Sequence, residues 1–102
     1  MIYNYQGHFS YSWPTVNSWE ANPIGVYYCG YLLSNGNLFP LYIGKSAADA
    51  GIRGRLLQHL NETKWRDVTH FGYHQCDTEN EALDFEAAEI EKYKPKYNKQ
   101  GK

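Results

Sequence analysis

Apolar residues fall into blocks of different period along the chain. The run GVYYCGYLL, 25–33, is dense in β-prone residues, and LFPLYIG, 38–44, follows it after Ser34-Asn35-Gly36-Asn37. Asn-Gly between two such runs is the strongest short signal for a hairpin, so both runs are predicted strands. Pro40 cannot donate to a ladder, which predicts an edge strand or a bulge there. In a regular strand Phe39, Leu41 and Ile43 would share one face and Tyr42 the other. IRGRLLQHL, 52–60, has helical spacing, with Ile52, Leu56, Leu57 and Leu60 as its apolar arc. THFGYHQCD, 69–77, predicts a third strand. Thr78-Glu79-Asn80-Glu81 is a capping box, and the helix it opens runs to about Tyr93, where Pro95 blocks continuation. Hairpin, helix, strand and helix make a small α/β or α+β domain. Residues 1–24 are rich in Ser, Asn, Tyr and Trp without a clear period, and predict an irregular extension with room for one short strand.

One position breaks the pattern of the last helix. At about 100° per residue, Ala82, Leu83, Ile90 and Tyr93 form an apolar stripe that Phe85 widens. Glu81, Asp84 and Glu91 fall opposite, as solvated charges should. Glu86 falls inside the stripe, and Glu89 lies at its edge. A buried carboxylate is costly unless it is paired, protonated or bound to a metal. Glu86 is therefore either half of a structural ion pair or a metal ligand or acid–base group. On the first helix Arg55 and His59 are four apart and share a face at the border of the apolar arc. A guanidinium there can hold a phosphate oxygen bidentately.

Composition narrows the class. The 102 residues suit one domain with one modest core. With 42% hydrophobic and 21% charged residues the chain reads as globular. No stretch approaches the roughly 18 apolar residues of a membrane helix, and the first residues lack a signal-peptide pattern, which together predict a cytoplasmic chain. Two cysteines, Cys29 and Cys76, are too few for a disulfide scaffold and are expected to be reduced strand residues. The net charge of -1 hides an asymmetry. Residues 45–66 hold Lys45, Arg53, Arg55, Lys64 and Arg66, residues 67–91 hold eight acids and no Lys or Arg, and five lysines follow from Lys92. The two basic segments leave room for nucleic acid as a partner.

Gly25-Val26-Tyr27 and Tyr42-Ile43-Gly44-Lys45 resemble the two defining strand motifs of the GIY-YIG nuclease family. Ile52–His59 resembles the family's arginine-bearing helix, Glu79–Glu86 its helix with the metal-binding glutamate, and Lys94-Pro95-Lys96-Tyr97-Asn98 its closing segment. The motifs stand in the family's order and cover residues 24–98. The resemblance implies a small three-stranded antiparallel sheet flanked by helices over 25–98, with 1–24 as an extension and 99–102 as a basic tail. It also implies hydrolysis of phosphodiester bonds with one Mg²⁺ or Mn²⁺ ion. By position, Tyr27 and Tyr42 correspond to the paired active-site tyrosines, Arg55 to the phosphate-holding arginine and Glu86 to the metal ligand. His59 stands where relatives carry tyrosine or histidine, Lys45 resembles the lysine after YIG, and Asn98 resembles the asparagine that braces the site. Two segments depart from the common pattern: the hairpin between Tyr27 and Tyr42 is longer, and so is Ser46–Gly51. Both bear on substrate choice.

In that scheme Tyr27 is the expected general base, assisted by His59, although a tyrosine near its ordinary value of about 10 is a poor base at neutral pH. Tyr42 positions water or phosphate, and Arg55 and Lys45 supply positive charge. Lys45, Arg53, Lys94 and Lys96 are candidate nucleic-acid contacts. Trp13, Trp19 and Trp65 could stack on bases but read better as packing residues. His70 and His74 on one strand lie about 13 Å apart, too far to share zinc. The reading is an endonuclease, DNA its expected substrate. The alternatives are a catalytically silent nucleic-acid-binding or protein-interaction module on the same fold, and an RNA-directed nuclease or toxin. A dimer, or a partner protein supplying specificity, fits so small a chain; a membrane does not.

Overall fold

The predicted hairpin forms, and the sheet grows around it. The computed structural model describes residues 1–18, 24–46, 51–62 and 65–98. Trp19, Lys64, the interior of the Ser46–Gly51 segment and the 99–102 tail lie outside the described residues. The elements are β1 (Gln6–Ser10), α1 (Trp13–Asn17), β2 (Gly25–Leu32), β3 (Leu38–Lys45), α2 (Gly51–Asn61), β4 (His70–Gln75) and α3 (Glu79–Tyr93), with a 3₁₀ turn at Lys96–Asn98. The class is α+β, and the sheet has the order β1-β4-β2-β3 with every pair antiparallel.

The expected three strands are four. The extra one, β1, fills the room for one short strand that the irregular N-terminal segment left. Its residues are mostly exposed, so no burial period marks it. It exists because the outer edge of β4 offers unpaired backbone groups, which it meets at Gln6↔Tyr73, Phe9↔Phe71 and Ser10↔His70. Pro14 sits in the first turn of α1, where its missing N–H costs nothing, and Val16 of that helix is fully buried. Through Val16, with Phe9 and Tyr11 packed beside it, this segment contributes to the core.

Strand β3 is an edge strand and also carries a bulge. Cys29 pairs with Tyr42, but Gly30 pairs with Pro40, so Leu41 is the extra residue. The bulge breaks the expected alternation: Leu41 packs in the cluster that Tyr42 borders, while Ile43 packs on the other side of the sheet. On the first side, α1 and α2 cover Tyr27, Cys29 and Phe71 with Val16, Ile52 and Leu56. On the second, α3 covers Val26, Tyr28 and Ile43. Each fully buried side chain of this size contributes about 1.5–3 kcal/mol. Both cysteines are free and buried, Cys29 on β2 and Cys76 just past β4.

Helix α3 starts as its capping box requires: Thr78 accepts from the Glu81 N–H at 3.2 Å, and Glu81 reaches back to the Asp77 N–H at 3.0 Å. It ends at Lys94, in the left-handed region with φ 46°, directly before Pro95. Its inward face is Ala82, Phe85, Glu86, Glu89 and Ile90. Leu83 and Tyr93, expected in the apolar stripe, are 49% and 45% exposed. The true inward arc is rotated toward the glutamates. Among the described residues no helix is long and apolar enough to cross a membrane.

Candidate active site

The end of the β2–β3 hairpin away from its turn brings two tyrosine rings together. Tyr27 pairs with Gly44, and Tyr42 with Cys29, so the tyrosines are diagonal neighbours with ring centroids 6.1 Å apart. Gly44 makes this possible. A Cβ there would lie 2.6 Å from the Tyr27 hydroxyl and 2.8 Å from the Tyr42 ring. Ser46 closes this end of the pair by accepting from the Gly25 N–H at 3.1 Å.

Helix α2 lays its chemistry over those rings. It opens at Gly51 with φ 67°, a conformation other residues reach only with strain. Ile52, Leu56 and His59 form the buried row at helical spacing. His59 Nε2 lies 3.0 Å from the Tyr27 hydroxyl. Arg55, one turn earlier on the same face, is half-buried, and its Nε has no hydrogen-bond partner among the described residues. Arg53 points elsewhere: its Nη2 donates to the Asn17 backbone carbonyl at 3.1 Å and to Asn17 Oδ1 at 3.0 Å. It ties α2 to α1.

Glu86 reaches the same neighbourhood from α3 and is half-buried. Burial pushes its carboxyl above the ordinary range, and the charge and backbone N–H of Lys45, together with Arg55, pull against that shift. The sequence left a structural ion pair open as an explanation for Glu86. No ion pair within 4.0 Å joins it to a described residue. Burial also pushes the Tyr27 phenol far up, with smaller upward contributions from Tyr42 and Cys29 and an opposing one from Arg55. Tyr42 is raised as well, mainly by burial. Tyr27 thus holds its proton firmly in the resting protein.

Asn98 stands behind the site. Its side-chain amide accepts from the Ile43 N–H and donates to the Ile43 carbonyl, both at 2.8 Å. One side chain therefore supplies the pairing that a further strand would give β3, and it holds the Tyr42-Ile43-Gly44 backbone in place. Lys94 and Lys96 lie on the surface, paired with Glu91 at 2.9 Å and Asp67 at 3.5 Å.

Trp65 is the participant that the sequence undervalued. Its ring centroid lies 4.7 Å from Tyr42, 4.6 Å from His59 and 5.8 Å from Tyr97. It packs as expected, but against the site itself. A lone Trp in a loop carries no periodicity, so only the fold reveals what it touches.

Compared with protein-family models, curated proteins and solved structures, the chain finds no match. The site must be read from its own chemistry. Among the described residues no group of three or more His, Cys, Asp or Glu side chains could hold a metal ion. Glu86 offers a single hard oxygen ligand. That donor set suits Mg²⁺ or Mn²⁺, which retain waters and take phosphate oxygens, and does not suit a metal that needs a full protein cage. Lys45 and Arg55 beside Glu86 disfavour a cation until a phosphate brings negative charge.

Proposed function

We propose that this chain is a divalent-metal-dependent endonuclease of the GIY-YIG type, with DNA its substrate. The supporting observation is the Tyr27–His59 hydrogen bond in a site that Tyr42, Arg55, Lys45 and Glu86 border. A cleaved phosphodiester needs a deprotonated water, positive charge around the phosphorus and a path for the proton.

Glu86 would hold the ion, whose contribution when bound is positive charge on the phosphate and its leaving oxygen. Arg55 has the donors to grip a non-bridging oxygen, and Lys45 adds a point charge. Tyr27 alone is a weak base, because burial keeps its phenol protonated. The hydrogen bond to His59 resolves this. With His59 as its Nδ1–H tautomer, Nε2 accepts from Tyr27; as Tyr27 takes a proton from water, its own passes to Nε2, and the phenolate never has to persist. The base is the pair, which refines the assignment of Tyr27 with His59 as assistant. Tyr42 borders the same space and orients water or phosphate.

The decisive experiment incubates the protein with plasmid, branched DNA and RNA, with and without Mn²⁺, beside Glu86→Ala. Metal-dependent cleavage of DNA that Glu86→Ala abolishes is the expected result. Binding without cleavage would favour a silent module, and cleavage of RNA alone would change the substrate. Tyr27→Phe and His59→Asn should each lose most of the rate. A near-normal rate and unchanged pH profile in Tyr27→Phe would remove the relay.

A further inference from the structure

The sheet's second face carries a cavity that none of this chemistry uses. It has a volume of about 520 Å³ and lies between β1, the outer part of the β2–β3 hairpin, β4 and the C-terminal half of α3. That size falls in the ordinary range of small-molecule sites. Rings make much of its wall: Tyr5, Tyr28, Phe39, Tyr93 and His74 all line it. Phe39 is 44% exposed, so a ligand can reach its face from solvent. Tyr31 stacks on Phe39 with centroids 5.2 Å apart, which limits that ring's freedom.

The charge is one-sided. Among the described lining residues Glu89 is the only carboxylate, and none is Lys or Arg. The Tyr28 hydroxyl donates to Glu89 Oε1 at 2.8 Å and fixes the carboxylate against the wall. A carboxylate has about four acceptor sites, so an N–H donor can still be received there. His74 is committed elsewhere, its Nδ1–H donating to the Tyr3 carbonyl at 2.8 Å. At the rim the Lys92 ammonium lies 5.0 Å from the centroid of the Tyr93 ring, so the faces left to a ligand are those of Tyr5, Tyr28 and Phe39. Aromatic faces around one oriented carboxylate attract a cation twice, through the ring quadrupoles and through the charge. The same carboxylate repels phosphates, so this cavity is not an extension of the nucleic-acid surface.

We propose that this cavity binds a small organic cation, an ammonium or guanidinium group carried on an apolar or aromatic body. The proposal stands on Glu89 and the ring walls and does not depend on the nuclease reading.

Two probes share one skeleton and differ in charge: 4-phenylbutylammonium and 4-phenylbutyrate. The full chain is titrated with each at about pH 8, above the ordinary imidazole range, and followed by amide chemical shifts. The cation should move the amides of Tyr5, Tyr28, Phe39 and Glu89 and bind at least about tenfold more tightly than the anion. Glu89→Gln keeps a carbonyl acceptor for Tyr28 and should weaken the cation about tenfold. Phe39→Ala trims a half-exposed ring, spares the core and should also weaken it, so this variant decides the matter if Glu89→Gln does not fold. Equal affinity for both probes would overturn the proposal. So would unchanged binding in the variants, or no shifts up to about 10 mM cation.

Discussion

A charged Glu86 works against its own surroundings. Burial raises its carboxyl above the unfolded value, so the folded chain binds more protons through that window. The stability this gives is present below the ordinary carboxylate range and is lost as pH rises through the raised value. Glu86→Gln removes the charge and keeps the shape. In EDTA at neutral pH it should melt at the wild-type temperature or slightly above, with the difference shrinking toward pH 4, and it should not cleave. A melt several degrees lower with cleavage intact would make Glu86 a scaffold residue. The two arginines of α2 should separate cleanly. Arg55→Ala should lower turnover ~100-fold or more, the usual cost of losing a transition-state charge contact. Arg53→Ala should leave turnover nearly unchanged and cost about 1 kcal/mol through its lost bonds to Asn17. Similar rates in the two variants would mean that the wrong arginine faces the substrate.

At the scale of elements, β3 is an edge strand that carries Tyr42 and Lys45 and, among the described residues, has β2 as its one strand partner. Asn98→Ala would leave the Ile43 N–H and carbonyl without their partner. The expected loss is about 1–3 kcal/mol by chemical denaturation, with Asn98→Asp intermediate because it still accepts from the N–H. No change in stability would show that the amide merely covers the edge. These elements differ in how far they could be read from the sequence. The hairpin, α2, β4 and α3 announce themselves through Asn-Gly, helical spacing and the capping box, all local signals. Glu86 was legible because it interrupts the stripe of its helix, and Arg55 and His59 because they border theirs, whereas Tyr27 and Tyr42 were picked out only by the family resemblance. Leu83 and Leu41 were misplaced for opposite reasons. The arc of α3 is rotated so that Glu86 and Glu89 face the sheet, and one bulged residue inverts the parity of β3. Strand β1 was hidden because a partner edge 60 residues away creates it, not its own side chains.

For the whole molecule, the site draws on both layers around the sheet. Tyr27 and Tyr42 face α2, Glu86 comes from α3, and β3 lies between them. EDTA should stop cleavage and Mg²⁺ or Mn²⁺ should restore it, while the metal-free fold persists because no described residue cluster depends on an ion. Equal cleavage in EDTA would rule out the single-ion scheme. The strand order carries a consequence for the birth of the chain. β2 and β3 are close in sequence and can zip at once, but β1 pairs only with β4. During synthesis β1 is made well before the strand that receives it. Phe9 must wait in the open until Phe71 has left the ribosome, and in that interval it is what a chaperone would grip or a second nascent chain would stick to.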